Sequence, residues 1–282
     1  MNETPFMEFL VSARKNANFL VGAFIILSVV FVAIFAPVLA PYGYDTANKA
    51  DRLQPPSAKY PFGTDDFGRD MLSKVIYGAR ITLQIALIGT FIQMFLGVTV
   101  GMVSGYFGGF IDKFLMYIAD LAWCVPGIIL ALAVVTLLGK GLNNSIIAIS
   151  LVNWTQFARI VRAKTMAIKN QAFIETGIAF GEKTPAIMLR YIFPNIVPAL
   201  IVMISMQLPS TVISTTALSF LGLGSQPPSP DWGLALSNGM KYVSRGQWLS
   251  IFPGIAMVYT VFGFNLLGEG IRDLIDPHVK SY

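Results

Sequence analysis

Residues 81–104 read ITLQIALIGTFIQMFLGVTVGMVS and contain no charged side chain. A helix needs roughly 20 apolar residues to cross the hydrocarbon core of a bilayer. In the whole chain of 282 residues, 55% are apolar and only 12% are charged, whereas a soluble domain carries roughly 25% charged residues. The sequence therefore predicts an all-α integral membrane protein, and it excludes an ordinary soluble domain and a disordered chain.

Further uncharged runs lie on both sides of this segment. They cover residues 19–40, 121–138, 141–158, 191–224 and 249–268. Together with residues 81–104 they predict six transmembrane helices. The run at 141–158 is more polar than the others, so a five-span alternative in which it is re-entrant or interfacial stays open.

The distribution of basic residues gives the orientation. Arg14 and Lys15 precede the first span, and a compact basic cluster follows Ala158 on the side that six spans would share with both termini. The loop at residues 42–80 also carries basic residues, so the bias is small. We expect both termini to lie in the cytoplasm.

Several kinds of chemistry are excluded by what the sequence lacks. A single Cys and a single His, His278, provide neither a disulfide framework nor a His- or Cys-based metal centre. No P-loop and no Gly-x-Ser-x-Gly motif is present. The net charge of +5 is typical of basic cytoplasmic loops. We therefore expect a chain that is not an enzyme, holds no metal and binds no nucleic acid.

Amide side chains interrupt the predicted spans at mid-depth. Besides Gln84, they include four candidates for lining a pathway: Gln93, Asn153, Gln207 and Asn265. Each can form a hydrogen bond between helices or line a polar pathway, and both interpretations stay open. Prolines within the spans free backbone carbonyls, which must face other helices or a watery cavity. This pattern modestly favours a transport pathway over a simple anchor.

Two loops on the outer side carry candidate features. Asp65, Asp66 and Asp70 can bind a cation through oxygen ligands, or they belong to a turn-rich loop with an Asp–Arg pair. The second loop is rich in proline and contains Gln226, Pro227, Pro228 and Trp232. It is a contact surface for an external partner, a lid, or an interfacial loop with Trp232 at the lipid boundary.

The segment after the basic cluster is amphipathic and predicts a cytoplasmic helix over residues 169–183. Phe173, Gly177 and Gly181 are spaced by four and would share one face, where the glycines let another backbone approach. Glu175 and Glu182 would share a second face, Phe180 adds an apolar anchor, and Pro185 would end the helix. Such a helix either docks on a partner or lies on the membrane surface.

The same segment resembles the cytoplasmic motif of permease subunits of bacterial ABC importers. That motif runs Glu-Ala-Ala, three residues, Gly, nine residues, Ile, one residue, Leu-Pro. Glu175, Gly181 and Pro194 match in register, while Thr176 and Gly177 replace the alanines, Tyr191 stands where Ile is usual and Phe193 replaces Leu. Further motifs, at residues 63–70, 77–80, 105–109, 217–224, 226–228, 231–233 and 265–273, are similar to the C-type permease of the dipeptide/oligopeptide/nickel subfamily.

This resemblance implies a type I ABC importer transmembrane domain. Residues 1–78 would hold a cytoplasmic tail, the first helix and an extracytoplasmic loop. Residues 79–269 would form the five-helix core with a coupling helix at about 172–184, and residues 270–282 a cytoplasmic tail. Coupling would rest on Phe173, Glu175, Gly177, Phe180, Gly181, Pro185 and Pro194, and contact with the binding protein on Gln226, Pro227, Pro228 and Trp232.

The resemblance also implies the partners and the task. A second homologous permease, two ATPase subunits and an extracytoplasmic substrate-binding protein would complete the complex in a prokaryotic inner membrane. ATP and Mg would bind the ATPase subunits, with no cofactor on this chain. The expected cargo is di- or oligopeptides, with nickel or metal–chelator complexes or glutathione as alternatives. A stand-alone secondary transporter is the remote alternative, but the spans show neither a mid-depth carboxylate nor an inverted repeat.

Overall fold

A computed structural model describes residues 12–275, and within that range the chain is helical with no β-strand. The helices are α1 (Ala17–Ile34), α2 (Ala36–Leu39), α3 (Met71–Phe107), α4 (Gly109–Cys124), α5 (Gly127–Leu138), α6 (Leu142–Lys169), α7 (Ala172–Ala179), α8 (Thr184–Ile187), α9 (Phe193–Phe220), α10 (Trp232–Met240) and α11 (Trp248–Ile275). A π-helical turn, Met188–Ile192, joins α8 to α9. His278, residues 1–11 and the end of the predicted C-terminal tail lie outside the described residues.

The predicted count of six spans is not confirmed. Within residues 12–275, four helices are long and apolar enough to cross a membrane: α1, α3, the continuous helix Thr184–Phe220, and α11. A fifth arises if α4 and α5 are one broken span. Helix α6, which contains the predicted run 141–158, has 28 residues but is too polar to belong to this apolar class.

The predicted span at residues 121–138 is not one straight helix. Helices α4 and α5 meet at a bend of 97°, where Val125 is extended and Pro126 caps α5. A proline disfavours the helical conformation of the residue before it, because its Cδ clashes with that residue's backbone. Pro126 therefore ends α4 and begins a new direction for the chain.

A row of glycines brings α3 against α6. Gly97, Gly101 and Gly105 are spaced by four and lie buried on one face of α3. A Cβ placed on Gly101 would lie 2.5 Å from the backbone oxygen of Ala158, and one on Gly105 would lie 2.7 Å from that of Arg162. Small residues at this spacing let two membrane helices pack backbone to backbone. This seam, which the sequence analysis does not single out, fixes the position of α6 and of the segment that follows it.

Helix α1 packs on α11 in the same way. A Cβ on Gly22 would lie 2.3 Å from the backbone nitrogen of Leu267. The side chain of Asn16 accepts from the backbone N–H of Phe19 at 2.9 Å, which caps α1, and donates to Asp273 at 3.2 Å. The first helix is thus tied to the last one at their shared end.

Candidate functional site

The segment that the sequence predicts to be cytoplasmic and to dock on a partner is anchored in the helix bundle through one face. Ile174 of α7 is buried in a hydrophobic cluster that includes Val161 of α6, Ile187 of α8 and Ile192 in the π turn. Gly177, one turn further along, is buried as well. Because this face is packed against the chain itself, only the opposite face of α7 is left for contact with another protein.

The end of α7 corrects the predicted helix boundary. The helix stops at Ala179, short of both 183 and 184, and Gly181 adopts a positive φ of 78°. The N–H of Glu182 donates to the carbonyl of Gly177 at 3.1 Å, and the N–H of Gly181 donates to that of Ile178 at 2.9 Å. This pair of bonds is a Schellman end, in which the left-handed position favours glycine. Gly181, and not Pro185, therefore ends the helix.

The predicted notch for a partner backbone is also different from expectation. Gly177 faces the ring of Tyr191, since a Cβ on Gly177 would lie 3.8 Å from Tyr191 Cε2. Gly181 lies beyond the helix and cannot share a helical face with Phe173. Glu182 likewise lies beyond the helix, and its Oε1 accepts a hydrogen bond of 2.8 Å from the Tyr191 hydroxyl. The Gly177 position is thus covered by the chain's own Tyr191, whereas no atom lies within 4 Å of a Cβ built on Gly181.

The part of this segment that is not packed against the bundle is an apolar surface with one carboxylate. Phe180 is 84% exposed, Ile178 53% and Phe173 40%. Glu175 is exposed in the first turn of α7, where a negative charge is favourable beside the positive end of the helix dipole. Ile178 is not among the residues predicted from the sequence, because its spacing of four from Ile174 favours the packed face of the helix. We call Phe173, Glu175, Ile178 and Phe180 the docking surface.

The two prolines of this region begin helices and do not end one. Pro185 stands in the first turn of α8 and Pro194 in the first turn of α9. Pro194 has no N–H to donate to the carbonyl of Arg190. The π turn widens the helix just before it, and Asn195 Nδ2 donates to the carbonyl of Tyr191 at 2.7 Å. The chain thus continues as a single helix from Thr184 to Phe220.

The four predicted pathway amides occupy different environments. Gln93 is fully buried and its Nε2 donates to Thr211 Oγ1 at 3.1 Å, which joins α3 to α9. Gln207 is buried with its Nε2 unpartnered within the described chain. Asn153 is half-buried. Asn265 is exposed and borders a cavity of about 250 Å³ together with Ser210 and Ser214.

The structure places the residues of the proline-rich loop in two different environments. Gln226, Pro227 and Pro228 are exposed. Trp232 is only 4% exposed, and its Nε1 donates to the carbonyl of Val75 at 3.0 Å. A Cβ on Gly78 would lie 2.2 Å from Trp232 Nε1. Trp232 therefore locks α10 onto α3 and is available neither to an external partner nor to the lipid boundary.

The acidic cluster of the loop at residues 42–80 is an ion-pair network, as the Asp–Arg alternative predicted. Asp65 Oδ2 accepts from Arg69 Nε and from Lys74 Nζ, both at 2.7 Å, and all three side chains are buried. Asp70 caps α3 by accepting from the N–H of Ser73 at 2.7 Å. In residues 12–275 no three His, Cys, Asp or Glu side chains stand close enough together to hold a metal ion. The cluster thus fastens the loop to α3.

This network predicts an acid-dependent loosening of the loop. Burial alone would raise the pKa of Asp65, but Lys74 and Arg69 outweigh it and hold that pKa below its ordinary value. The stabilisation is therefore complete above about pH 4, the pKa of Asp in the unfolded chain, and is lost as pH falls through the lower folded pKa. Asp65→Asn should remove this dependence and cost about 3–5 kcal/mol at pH 7, because Lys74 is left buried without its partner.

Hydrogen exchange of peptides from residues 48–70, followed from pH 7 to pH 3, measures this prediction. Asp51→Asn serves as a control, because the Asp51 pair with Lys59 is more exposed and such pairs contribute about 0–1 kcal/mol. Equal protection of wild type and Asp65→Asn at pH 7 would contradict the assignment.

The comparisons with known proteins all match membrane components of transport systems. The family model described as "Binding-protein-dependent transport system inner membrane component" matches residues 97–281. The model described as "N-terminal TM domain of oligopeptide transport permease C" matches residues 4–56. The chain is 39% identical over 278 residues to the dipeptide transport system permease protein DppC of Alkalihalophilus pseudofirmus, covering 99% of this chain and 91% of that protein.

Two further similarities extend the comparison. The glutathione transport system permease protein GsiD of Escherichia coli O6:K15:H31 is 39% identical over 279 residues, covering 99% of this chain and 92% of that protein. Among solved structures, an inward-facing conformation of the MetNI methionine ABC transporter matches with a TM-score of 0.58 at 19% identity. That match covers 72% of this chain and 97% of the other, and at this identity it supports the fold alone.

Proposed function

The chain belongs to the family of binding-protein-dependent transport system inner membrane components, and from this membership we propose that it forms half of the translocation pathway of an ATP-driven peptide importer. The docking surface carries the proposal. An eight-residue helix anchored by Ile174 in the bundle, together with Phe180 directly after it, presents two aromatic rings, an isoleucine and a carboxylate outward. This arrangement suits a helix that receives a push from another protein and passes it to the bundle.

The cargo is proposed from the relatives. Their names give dipeptides for one and glutathione, itself a modified tripeptide, for the other. Both are short peptides, so di- or oligopeptides lead and glutathione is the first alternative. Nickel or a metal–chelator complex is a weaker alternative, and the binding protein rather than this chain would make most of the choice.

We propose that the topology has six spans. The broken pair α4–α5 counts as one span, and α6 counts as another because its 28 residues give a length of about 42 Å at 1.5 Å per residue. Its polar side chains are tolerated because much of α6 is buried against α3 and away from lipid. Six spans place both termini on one side of a prokaryotic inner membrane, and Arg14 and Lys15 before the first span favour the cytoplasmic side. We propose the same division of the chain as before. The N-terminal tail, the first helix and the loop after it occupy residues 1–78, the core occupies residues 79–269, and the C-terminal tail occupies residues 270–282.

The proposed mechanism is alternating access driven by partners. A second homologous permease would complete the pathway, and two ATPase subunits would bind ATP and Mg beneath it. Their closure would move the docking surface and with it the Thr184–Phe220 helix, a shift between two pre-existing states. An external binding protein would deliver cargo near Gln226, Pro227 and Pro228. This chain would make and break no covalent bond.

Asn265 is the best supported of the four pathway amides. It borders the 250 Å³ cavity with Ser210 and Ser214, and these neutral donors and acceptors suit the amide groups of a peptide. Gln93 is better explained as a link between helices, because it is fully buried and bonded to Thr211. Gln207 and Asn153 stay candidates of lower rank.

The first experiment is mass spectrometry of what co-purifies with a tagged chain from its own membrane in mild detergent. One or two P-loop ATPases and a second permease are expected. Recovery of the chain alone, with transport activity in liposomes, would instead establish a stand-alone secondary transporter.

Phe180→Ala should weaken retention of the ATPase subunit at least about 30-fold, because truncating a central interface residue costs about 2–4 kcal/mol. Phe110→Ala is the matched control, since Phe110 is 82% exposed and lies outside the docking surface. Retention is measured by titrating purified ATPase onto the permease in nanodiscs. An equal loss in both variants would show that exposure alone, and not the docking surface, accounts for the effect.

A further inference from the structure

One hydrogen bond crosses the elbow between α7 and the long helix. The Tyr191 hydroxyl donates to Glu182 Oε1 at 2.8 Å, and Arg190 Nη1 lies 3.5 Å from the same oxygen. Glu182 is the residue that closes the Schellman end of α7 through its backbone N–H. Tyr191 lies in the π turn directly before α9. The bond therefore joins the end of one helix to the beginning of the other.

The ring of Tyr191 contributes a second contact. It lies against Gly177, where a Cβ would be 3.8 Å from Tyr191 Cε2. Ile174, one turn earlier, is buried in the same cluster as Ile187 and Ile192. Along one face of α7, each turn is thus held to the chain that leads into α9.

Without these contacts the connection between α7 and α8 would be flexible. The covalent link from α7 to α8 passes through Gly181, which is in the left-handed region with no atom within 4 Å of a Cβ built on it, and through Lys183, which is extended. The Schellman bonds span only residues 177–182 and do not reach the π turn. The side-chain contacts of Tyr191, beside the packing of Ile174, join α7 to that turn.

We propose that Tyr191 is a positioning residue that makes α7 and the Thr184–Phe220 helix move as one rigid body, with Glu182 as its acceptor. This inference rests on the proposed function, since it describes how a push on the docking surface reaches the pathway helix. The position is usually Ile in the motif that this segment resembles, and an aliphatic side chain cannot donate a hydrogen bond. We call the hydrogen-bonded link between Tyr191 and Glu182 the strut. It is accordingly a feature of this sequence and not of the motif.

The test removes the hydroxyl and keeps the ring. In the complex with its ATPases and binding protein in proteoliposomes, Tyr191→Phe should lower the number of peptides imported per ATP hydrolysed about 3- to 10-fold, with ATPase retention unchanged. Glu182→Ala should have the same effect, and the double variant should be no worse than either single one. Glu182→Gln, which still accepts a hydrogen bond, should restore most of the ratio.

Tyr259→Phe is the matched control, because it also removes a hydroxyl bonded between two helices, here 3.0 Å from Ser28 Oγ. A wild-type ratio in Tyr191→Phe, additive losses in the double variant, or a loss of ATPase retention would each overturn the strut. Hydrogen exchange of residues 172–180 in the isolated full chain gives a readout that needs no importer. There, exchange about 10-fold faster in Tyr191→Phe than in Tyr259→Phe supports the strut, and equal exchange overturns it, even if the wild-type complex fails to import.

Discussion

Gly101→Leu is expected to abolish the folded membrane form of this protein. A Cβ at this position would lie 2.5 Å from the backbone oxygen of Ala158 and 2.8 Å from Cβ of Val161. Neither atom belongs to the flexible end of a side chain, so the helices α3 and α6 must separate to admit it. Separation exposes side chains that are buried between the helices, including Phe157 and Val161 of α6.

The smaller change Gly101→Ala already forces overpacking, which costs about 1–3 kcal/mol. Leucine adds three further carbons to a seam with no free space. The measurement is the monodisperse fraction and the melting temperature in mild detergent, with the membrane level checked by immunoblot. We expect a lowered melting temperature for Gly101→Ala and no monodisperse protein for Gly101→Leu.

Gly254→Ala is the control for this prediction. Gly254 also lies inside a long helix, α11, but a Cβ there would meet only Leu236 Cδ2 at 3.6 Å, an ordinary contact. Alanine is favoured over glycine in a helix by about 1 kcal/mol, so this variant should be as stable as wild type or more so. If Gly101→Leu melts like Gly254→Ala, the packing of α3 on α6 is wrong.

Glu175→Ala combined with Gly181→Leu should abolish peptide uptake and leave the chain in the membrane. Leucine at a φ of 78° costs about 1–2 kcal/mol and distorts the end of α7, which displaces Phe180. Removal of Glu175 takes away the only carboxylate of the docking surface and its charge-assisted hydrogen bonds to a partner. Neither position packs against the rest of the chain, since Glu175 is exposed and Gly181 has open space around it.

Uptake of labelled dipeptide into cells, normalised to the membrane level of the chain, measures this effect. We expect less than about 1% of the wild-type rate, which corresponds to about 2.7 kcal/mol or more. Gly181→Asn is the control, because asparagine tolerates the left-handed region better than other non-glycine residues and should keep most of the uptake. Wild-type uptake in the double variant would refute the coupling role of this segment.

Much of the candidate site could be predicted from the sequence, because local patterns report local structure. Uncharged runs near 20 residues long predicted the long apolar helices, and the spacing of Glu175, Gly181 and Pro194 indicated the motif. The bend at Pro126, in contrast, was not predicted. A run of apolar residues indicates that a segment is removed from water, but it does not indicate whether the helix is straight.

The helix boundary near Gly181 shows a second limit of the same kind. The periodicity of Phe173, Gly177 and Gly181 predicted one continuous helix face. The residue type alone does not show whether a glycine leaves space on a helix face or ends the helix. The positive φ of Gly181 and its backbone hydrogen bonds distinguish the two cases. Similarly, a tryptophan in a proline-rich loop is consistent with an exposed surface until its packing on Gly78 is seen.

The sequence by itself determined that this is a helical membrane protein, and it predicted the segment that would meet a partner. These depend on composition and on neighbours within a few residues. The tertiary structure alone decided that Gly97, Gly101 and Gly105 form a seam with α6, that Asp65 is paired with Lys74, and that Tyr191 fills the face of α7 at Gly177. Each of these contacts depends on how whole helices are placed against one another. That placement is set by shape and close packing, which no single segment of sequence contains.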